Sequence, residues 1–171
     1  MTTSRGALLL YTNEGDFNNM SVVLNLSAHK KAGQGFGSAT GQYMDVYIKY
    51  DTKTSSGYGL RIQRVSDYGN AVTFTLMEFT NGIGTKLTEA QVSSAFVTNC
   101  TVELDIINNV FTTKVTTTTE QSPGQIEDGH LKEVNLTTTI KNNSFGSFGV
   151  QHTGTVSAGN RTMLHDVLIK Y

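Results

Sequence analysis

Alternation of apolar and polar residues with a period of two constrains this chain more than any other feature. In Tyr43 to Tyr50, the residues Met44, Val46, Ile48 and Tyr50 alternate with Tyr43, Asp45, Tyr47 and Lys49. Successive side chains on a strand point to opposite sheet faces, so this pattern predicts a strand with one face buried. The same spacing recurs in Met20–Leu26 and in Tyr58, Leu60, Ile62 set against Gly59, Arg61, Gln63. It returns in Val72, Phe74, Leu76, in Val102, Leu104, Ile106, in Phe111, Thr113, Val115 and in Val134, Leu136, Thr138, Ile140. Leu8–Tyr11, Phe148–Val150 and Val167–Tyr171 read as further strands. Turn chemistry separates them at Asp67–Asn70, Asn81-Gly82, Asn108-Asn109, Ser122-Pro123-Gly124 and Asn142–Ser144. Short strands at regular spacing with turns between them predict an all-β, two-sheet antiparallel β-sandwich. No long segment carries helical spacing. One short helical turn is predicted over Lys86–Ser94, and an exposed loop over Glu120–His130.

Composition agrees. Thr is the commonest residue, 25 of 171, and it suits the outward positions of half-buried strands. The length predicts one domain over 1–171, long enough to hide roughly 70% of its unfolded surface without disulfides or metals. The 13 Lys and Arg against 14 Asp and Glu leave a net charge of −1. Such a chain has no global field to hold nucleic acid or an anionic membrane, so neither is expected as a partner. Cys100 is the single cysteine and reads as a small buried hydrophobe. The apolar run after Arg5 is too short for a signal-peptide core. The glycine-rich run Gly33–Gly41 lacks the Gly-Lys-Ser/Thr of a phosphate loop and leads into a strand, so it is predicted as a bordering loop. The Thr/Asn/Gly-rich, weakly charged composition suits an extracellular bacterial β domain. The expectation is a domain cut from a larger secreted protein and working outside the cell, in the periplasm or on the cell surface.

Three stretches together resemble the concanavalin A-like lectin/glucanase superfamily and its laminin-G-like relatives. They are Ser56-Gly57-Tyr58-Gly59-Leu60-Arg61-Ile62, the paired strands of Val102-Glu103-Leu104-Asp105-Ile106 around Asn109, Phe111 and Val115, and the Asp-led end Met163–Tyr171. The resemblance implies a jelly roll of two curved antiparallel sheets with glycans bound on the concave face. It also directs attention to Glu103-Leu104-Asp105-Ile106-Ile107-Asn108, since retaining glucanases of this superfamily carry Glu-x-Asp-x-Glu or Glu-x-Asp-x-x-Glu. There the first Glu is the nucleophile and the last the general acid. Here Ile107 and Asn108 hold the two acid positions, and a neutral amide cannot protonate a leaving group. A catalytic version would need Glu103 joined by another acid such as Asp45. The family's sugar-stacking Trp is also missing, because the chain has no Trp.

The face opposite the apolar strand positions carries Tyr43, Asp45, Tyr47, Arg61 and Gln63, with Thr73 and Thr75 beyond. Flat rings for sugar C–H faces beside amide, guanidinium and carboxylate groups for hydroxyls make a candidate glycan site. The Arg61 fork could also hold a uronic acid carboxylate. His152 is a second-rank candidate for the same site. The resemblance further implies a structural calcium, for which Asp166 matches the Asp of the final strand, with Glu14 and Asp16 brought near if first and last strands pair. Otherwise Asp166 is a turn-capping carboxylate. The leading functional expectation is a non-catalytic carbohydrate-binding or accessory module of a secreted glycan-degrading protein. Its partners would be a polysaccharide or oligosaccharide and a neighbouring catalytic domain. Two alternatives stand beside it: a diverged glycoside hydrolase or polysaccharide lyase, and a structural domain that braces a catalytic neighbour.

Overall fold

The computed structural model describes residues 5–28, 40–65, 71–92, 100–122, 125–153 and 162–171. Eleven strands fill them: β1 Arg5–Tyr11, β2 Met20–Ala28, β3 Tyr43–Asp51, β4 Ser56–Arg64, β5 Val72–Thr80, β6 Ile83–Val92, β7 Cys100–Ile107, β8 Val110–Ser122, β9 Gln125–Thr139, β10 Ser147–Thr153 and β11 Thr162–Lys170. They form a six-stranded sheet in the order β1-β10-β3-β4-β5-β6 and a five-stranded sheet in the order β11-β2-β7-β8-β9. Every pairing is antiparallel. β3 to β6 pair successively as hairpins, as do β7 to β9, while β1 and β10, or β2 and β11, meet only through long connections.

The core is what the period-two pattern selects. Met20, Val22, Leu24 and Leu26 of β2 and Val102, Leu104 and Ile106 of β7 are buried from one sheet. Met44, Val46 and Ile48 of β3, Leu60 and Ile62 of β4, and Phe74 and Leu76 of β5 meet them from the other. Cys100 lies buried at the start of β7 and joins no disulfide. Asn81-Gly82 and Asn108-Asn109 make the predicted tight turns, with Asn81 and Asn108 at φ of 52° and 55°, a region that Asn tolerates.

The structure corrects two expectations. Lys86–Val92 is not a helical turn but part of β6, laddered to β5 from Thr80↔Ile83 to Val72↔Val92. Thr88 favours a strand, and the neighbouring edge of β5 supplies hydrogen-bond partners that a lone helical turn would lack. Glu120–His130 is not a loop but the far end of the β8–β9 hairpin, paired through Glu120↔Ile126 and Ser122↔Gln125. Polar side chains signal solvent rather than coil and do not prevent backbone pairing. Pro123 and Gly124, the Asp67–Asn70 turn and most of the glycine-rich run lie outside the described residues.

Candidate functional site

The strand pattern turns Tyr43, Asp45, Tyr47, Arg61 and Gln63 onto the outer face of the six-stranded sheet, away from the core. Directly opposed residues in an antiparallel ladder share a face. The registers Gln151↔Asp45, Asp45↔Arg61, Arg61↔Thr75 and Thr75↔Glu89 therefore draw one polar row across β10, β3, β4, β5 and β6. The next row is Tyr43, Gln63, Thr73 and Gln91.

Within these rows the groups satisfy one another. Arg61 Nε donates to Asp45 Oδ1 and Nη2 to Oδ2, both at 2.8 Å. Its guanidinium lies 3.7 Å from the centre of the Tyr43 ring. Burial pulls the Arg61 guanidinium down, but the Asp45 carboxylate and the nearby Tyr43 and Tyr47 outweigh this, so its proton is held more tightly than usual. The Tyr47 hydroxyl donates to Gln151 Oε1 at 3.2 Å. Gln63 Nε2 donates to the Gly41 carbonyl at 3.0 Å.

Two of the predicted contacts are therefore structural. Asp45 is 1% exposed and Tyr47 2%, so neither presents a surface to a ligand. Tyr47 stacks on Tyr50 at 4.4 Å and meets the edge of Phe79 at 4.9 Å. With Met77 these rings make a second, smaller apolar cluster on the outer face. Asp45 takes the Nε–Nη2 edge of Arg61, so that edge is not open to a uronic acid carboxylate. Tyr43, Arg61 and Gln63 remain part-exposed at the surface of the row. His152 is corrected more simply. It pairs with Met44, a core-facing residue, so it lies on the other side of the sheet. Gln151 takes the place expected for it, one residue earlier. Local alternation along Val150-Gln151-His152 carried that signal.

The calcium residues do not assemble. β1 and β11 are not paired, since β1 lies beside β10 and β11 beside β2. Asp166 sits opposite Asn25 on β11 and is exposed. Glu14 is ion-paired to Lys53 at 3.0 Å with both side chains in water. Among the described residues no group of three or more His, Cys, Asp or Glu side chains could hold a metal ion. The cation near Asp16 is instead Lys49. Its Nζ donates to the carbonyls of Phe17 at 2.7 Å and Asn18 at 2.9 Å, and the Asp16 charge favours it. Alternation along β3 predicts Lys49 on the outer face and gives no hint of this role.

Glu103 and Asp105 alternate with core residues on β7, so they face outward from the five-stranded sheet. Glu103 is in register with Lys114. Asp45 faces outward from the six-stranded sheet, with the core between the two carboxylates. The partner acid proposed for Glu103 is thus on the far side of the sandwich.

No family model and no curated protein matches this chain. Solved structures do. A carbohydrate-binding module (CBM2) of the evolved Dit protein of Lactobacillus casei BL23 phage J-1 matches with a TM-score of 0.63 at 9% identity, over 95% of this chain. The chain spans 66% of that structure's length. Carbohydrate-binding module CBM66 from Bacillus subtilis matches with a TM-score of 0.59 at 12% identity, covering 98% of this chain and 86% of that one. A legume lectin-like domain from Entamoeba histolytica matches at 0.54 and 12%, covering 98% and 81%. At such identities the likeness concerns the backbone path. Two antiparallel sheets in this strand order, superposing on lectin-like and carbohydrate-binding-module sandwiches over nearly the whole chain, give this protein the concanavalin A-like jelly-roll fold.

Proposed function

We propose that the chain is a non-catalytic glycan-binding module. The observation that carries this reading is the Tyr43–Arg61–Asp45 assembly. A buried carboxylate fixes a guanidinium over an aromatic ring, at the surface of a polar row that also presents Gln63. A sugar binds such a row without ordering it first, which lowers the entropic cost of association. Because Asp45 neutralises Arg61, the row suits neutral hydroxyl-rich chains rather than uronates. The similar structures named for carbohydrate binding support the same class of ligand. In this reading the module works outside the cell and tethers a glycan-degrading neighbour to its substrate, where weak contacts gain from multivalency.

The test is affinity gel electrophoresis on levan, xylan, mixed-linkage β-glucan, galactan and alginate. At least one neutral polysaccharide should retard the wild type, and Tyr43→Ala should weaken retardation about tenfold. Unretarded migration on every glycan would refute the reading.

One observation favours a second reading, a domain that braces a neighbour. An apolar groove of about 480 Å³ lined by Leu9, Tyr11, Phe148, Leu164, Val167 and Ile169 lies between β1 and β11.

A further inference from the structure

The end of the sandwich opposite Tyr43 is built differently from the rest of the surface. Lys141–Gly146, between β9 and β10, has no strand pairing, yet hydrogen bonds fix it along its whole length. The Tyr58 hydroxyl donates to the Lys141 carbonyl. Asn142 Nδ2 reaches the Asn18 carbonyl at 2.8 Å and Asn143 Nδ2 the Lys49 carbonyl at 3.2 Å. Phe17 N donates to the Ser144 carbonyl at 3.0 Å, and the Tyr171 hydroxyl to that of Gly146 at 2.6 Å. Phe145 N is held by Asn143 Oδ1 at 3.0 Å. Behind the loop, Phe17 and Tyr171 stack at 3.9 Å.

On this rigid support the Phe145 side chain is left 37% exposed. It lines two clefts of mixed polar and apolar character. One, of about 340 Å³, is lined by Glu14, Asp16, Lys53 and Ser144. The other, of about 230 Å³, is lined by Glu78, Thr80, Lys141 and Asn142. Phe145 lines both clefts, so its exposed edge is shared between them. Here the ring offers a surface for sugar C–H groups, and the clefts on either side offer carboxylate, amide and hydroxyl groups for sugar hydroxyls.

We propose that the loop end around Phe145 is a second glycan-contact site, which stacks a neutral sugar on the Phe145 ring and takes its neighbouring hydroxyls into the Asp16–Ser144 and Glu78–Asn142 clefts. It deepens the glycan-binding reading and rests on it. The first cleft carries Glu14, Asp16 and Asp51 with Lys53, and Lys49 lies near Asp16, so acids still outnumber bases and anionic sugars are disfavoured there. The second balances Glu78 with Lys141. The site lies at the far end of β3 from Tyr43, roughly 25 Å away at the usual rise per residue, so the two sites can be altered independently.

The test uses the same five polysaccharides with wild type, Phe145→Ala, Asp16→Asn and Tyr43→Ala, each checked for an unchanged melting temperature. Phe145→Ala should weaken retardation by a neutral polysaccharide at least tenfold, and Asp16→Asn several-fold. If wild type is retarded and both loop-end variants match it, the second site is refuted while glycan binding stands. If alginate alone retards wild type, the neutral-sugar assignment is overturned. If nothing retards wild type, the glycan-binding reading itself fails, and this site with it.

Discussion

Lys49 is the side chain whose surroundings depart furthest from its ordinary chemistry. It is fully buried, its backbone sits at a φ of 47°, and its Nζ serves two carbonyls of the segment between β1 and β2. Desolvation lowers its pKa from 10.5 to about 8, against the opposing pull of the Asp16 carboxylate. Between those values the unfolded chain binds more protons than the folded one, so stability gains from Lys49 as pH rises through that window. The neutral amine can still donate to both carbonyls. Lys49→Met removes both bonds and leaves the Phe17 carbonyl without this donor, a loss of about 1–3 kcal/mol at pH 7. Urea denaturation should therefore show the gap between wild type and Lys49→Met widening from pH 7 to pH 10. A gap that stays constant or narrows would rule out a depressed Lys49. At this scale the sequence was legible in direction only. Alternation placed Asp45, Tyr47 and Arg61 on the outer face, but who meets whom depends on register between strands. The Asp45–Arg61 pair buries one of the groups expected to meet sugar and takes one edge of the other.

The β3–β4 hairpin shows how an element departs from its own pattern. Regular alternation along β3 breaks at Lys49, and the β3–β4 register shifts between Ile48 and Asp51. Every residue from Met44 to Tyr50 is buried, Asp45 by its pairing with Arg61 and Tyr47 by the Tyr50 and Phe79 rings, and no local periodicity predicts that. The bulge works because Gly57 faces it. Gly57 has a φ of 147°, and a Cβ there would stand 2.4 Å from the Lys49 carbonyl oxygen and 2.8 Å from Tyr50 Cα. Both obstacles are backbone and cannot rotate away. Gly41 is the contrasting case, with a φ of 85° but nothing within 4 Å of the added atom. Gly41→Ala should cost about 1 kcal/mol for the dihedral alone. Gly57→Ala should cost about 3 kcal/mol or more, because strain and overlap add. Chemical denaturation of the two variants side by side checks this, and equal losses would refute the account of the bulge. The strands themselves were readable because burying one face forces period two. The β8–β9 hairpin end and β6 were not, since polar composition and a few helix-compatible residues say little when partner strands supply the hydrogen bonds.

For the whole molecule, the two sheets close over one core but leave their edges unequal. β1 ends the six-stranded sheet and β11 ends the five-stranded one, and the apolar groove between them brings the two edges to the same side. Leu9 is 56% exposed, Leu168 52% and Tyr11 51%. Edge strands with apolar side chains and unpaired backbone groups are templates for association, which charged residues usually block. Along β1 the one charged residue is Arg5, at its start. Neither Tyr43 nor Phe145, where glycan contacts are proposed, lines this groove, so association through the seam and the proposed sugar binding are separable. The isolated domain should self-associate with rising concentration, measured by sedimentation velocity. Leu9→Lys with Val167→Lys should return it to monomer with its melting temperature within a few degrees, because neither side chain fills the core. Retardation by polysaccharide should survive in the double variant. A wild type that stays monomeric at high concentration would remove the case for a bracing surface, and lost sugar binding in the double variant would join the seam to the glycan site.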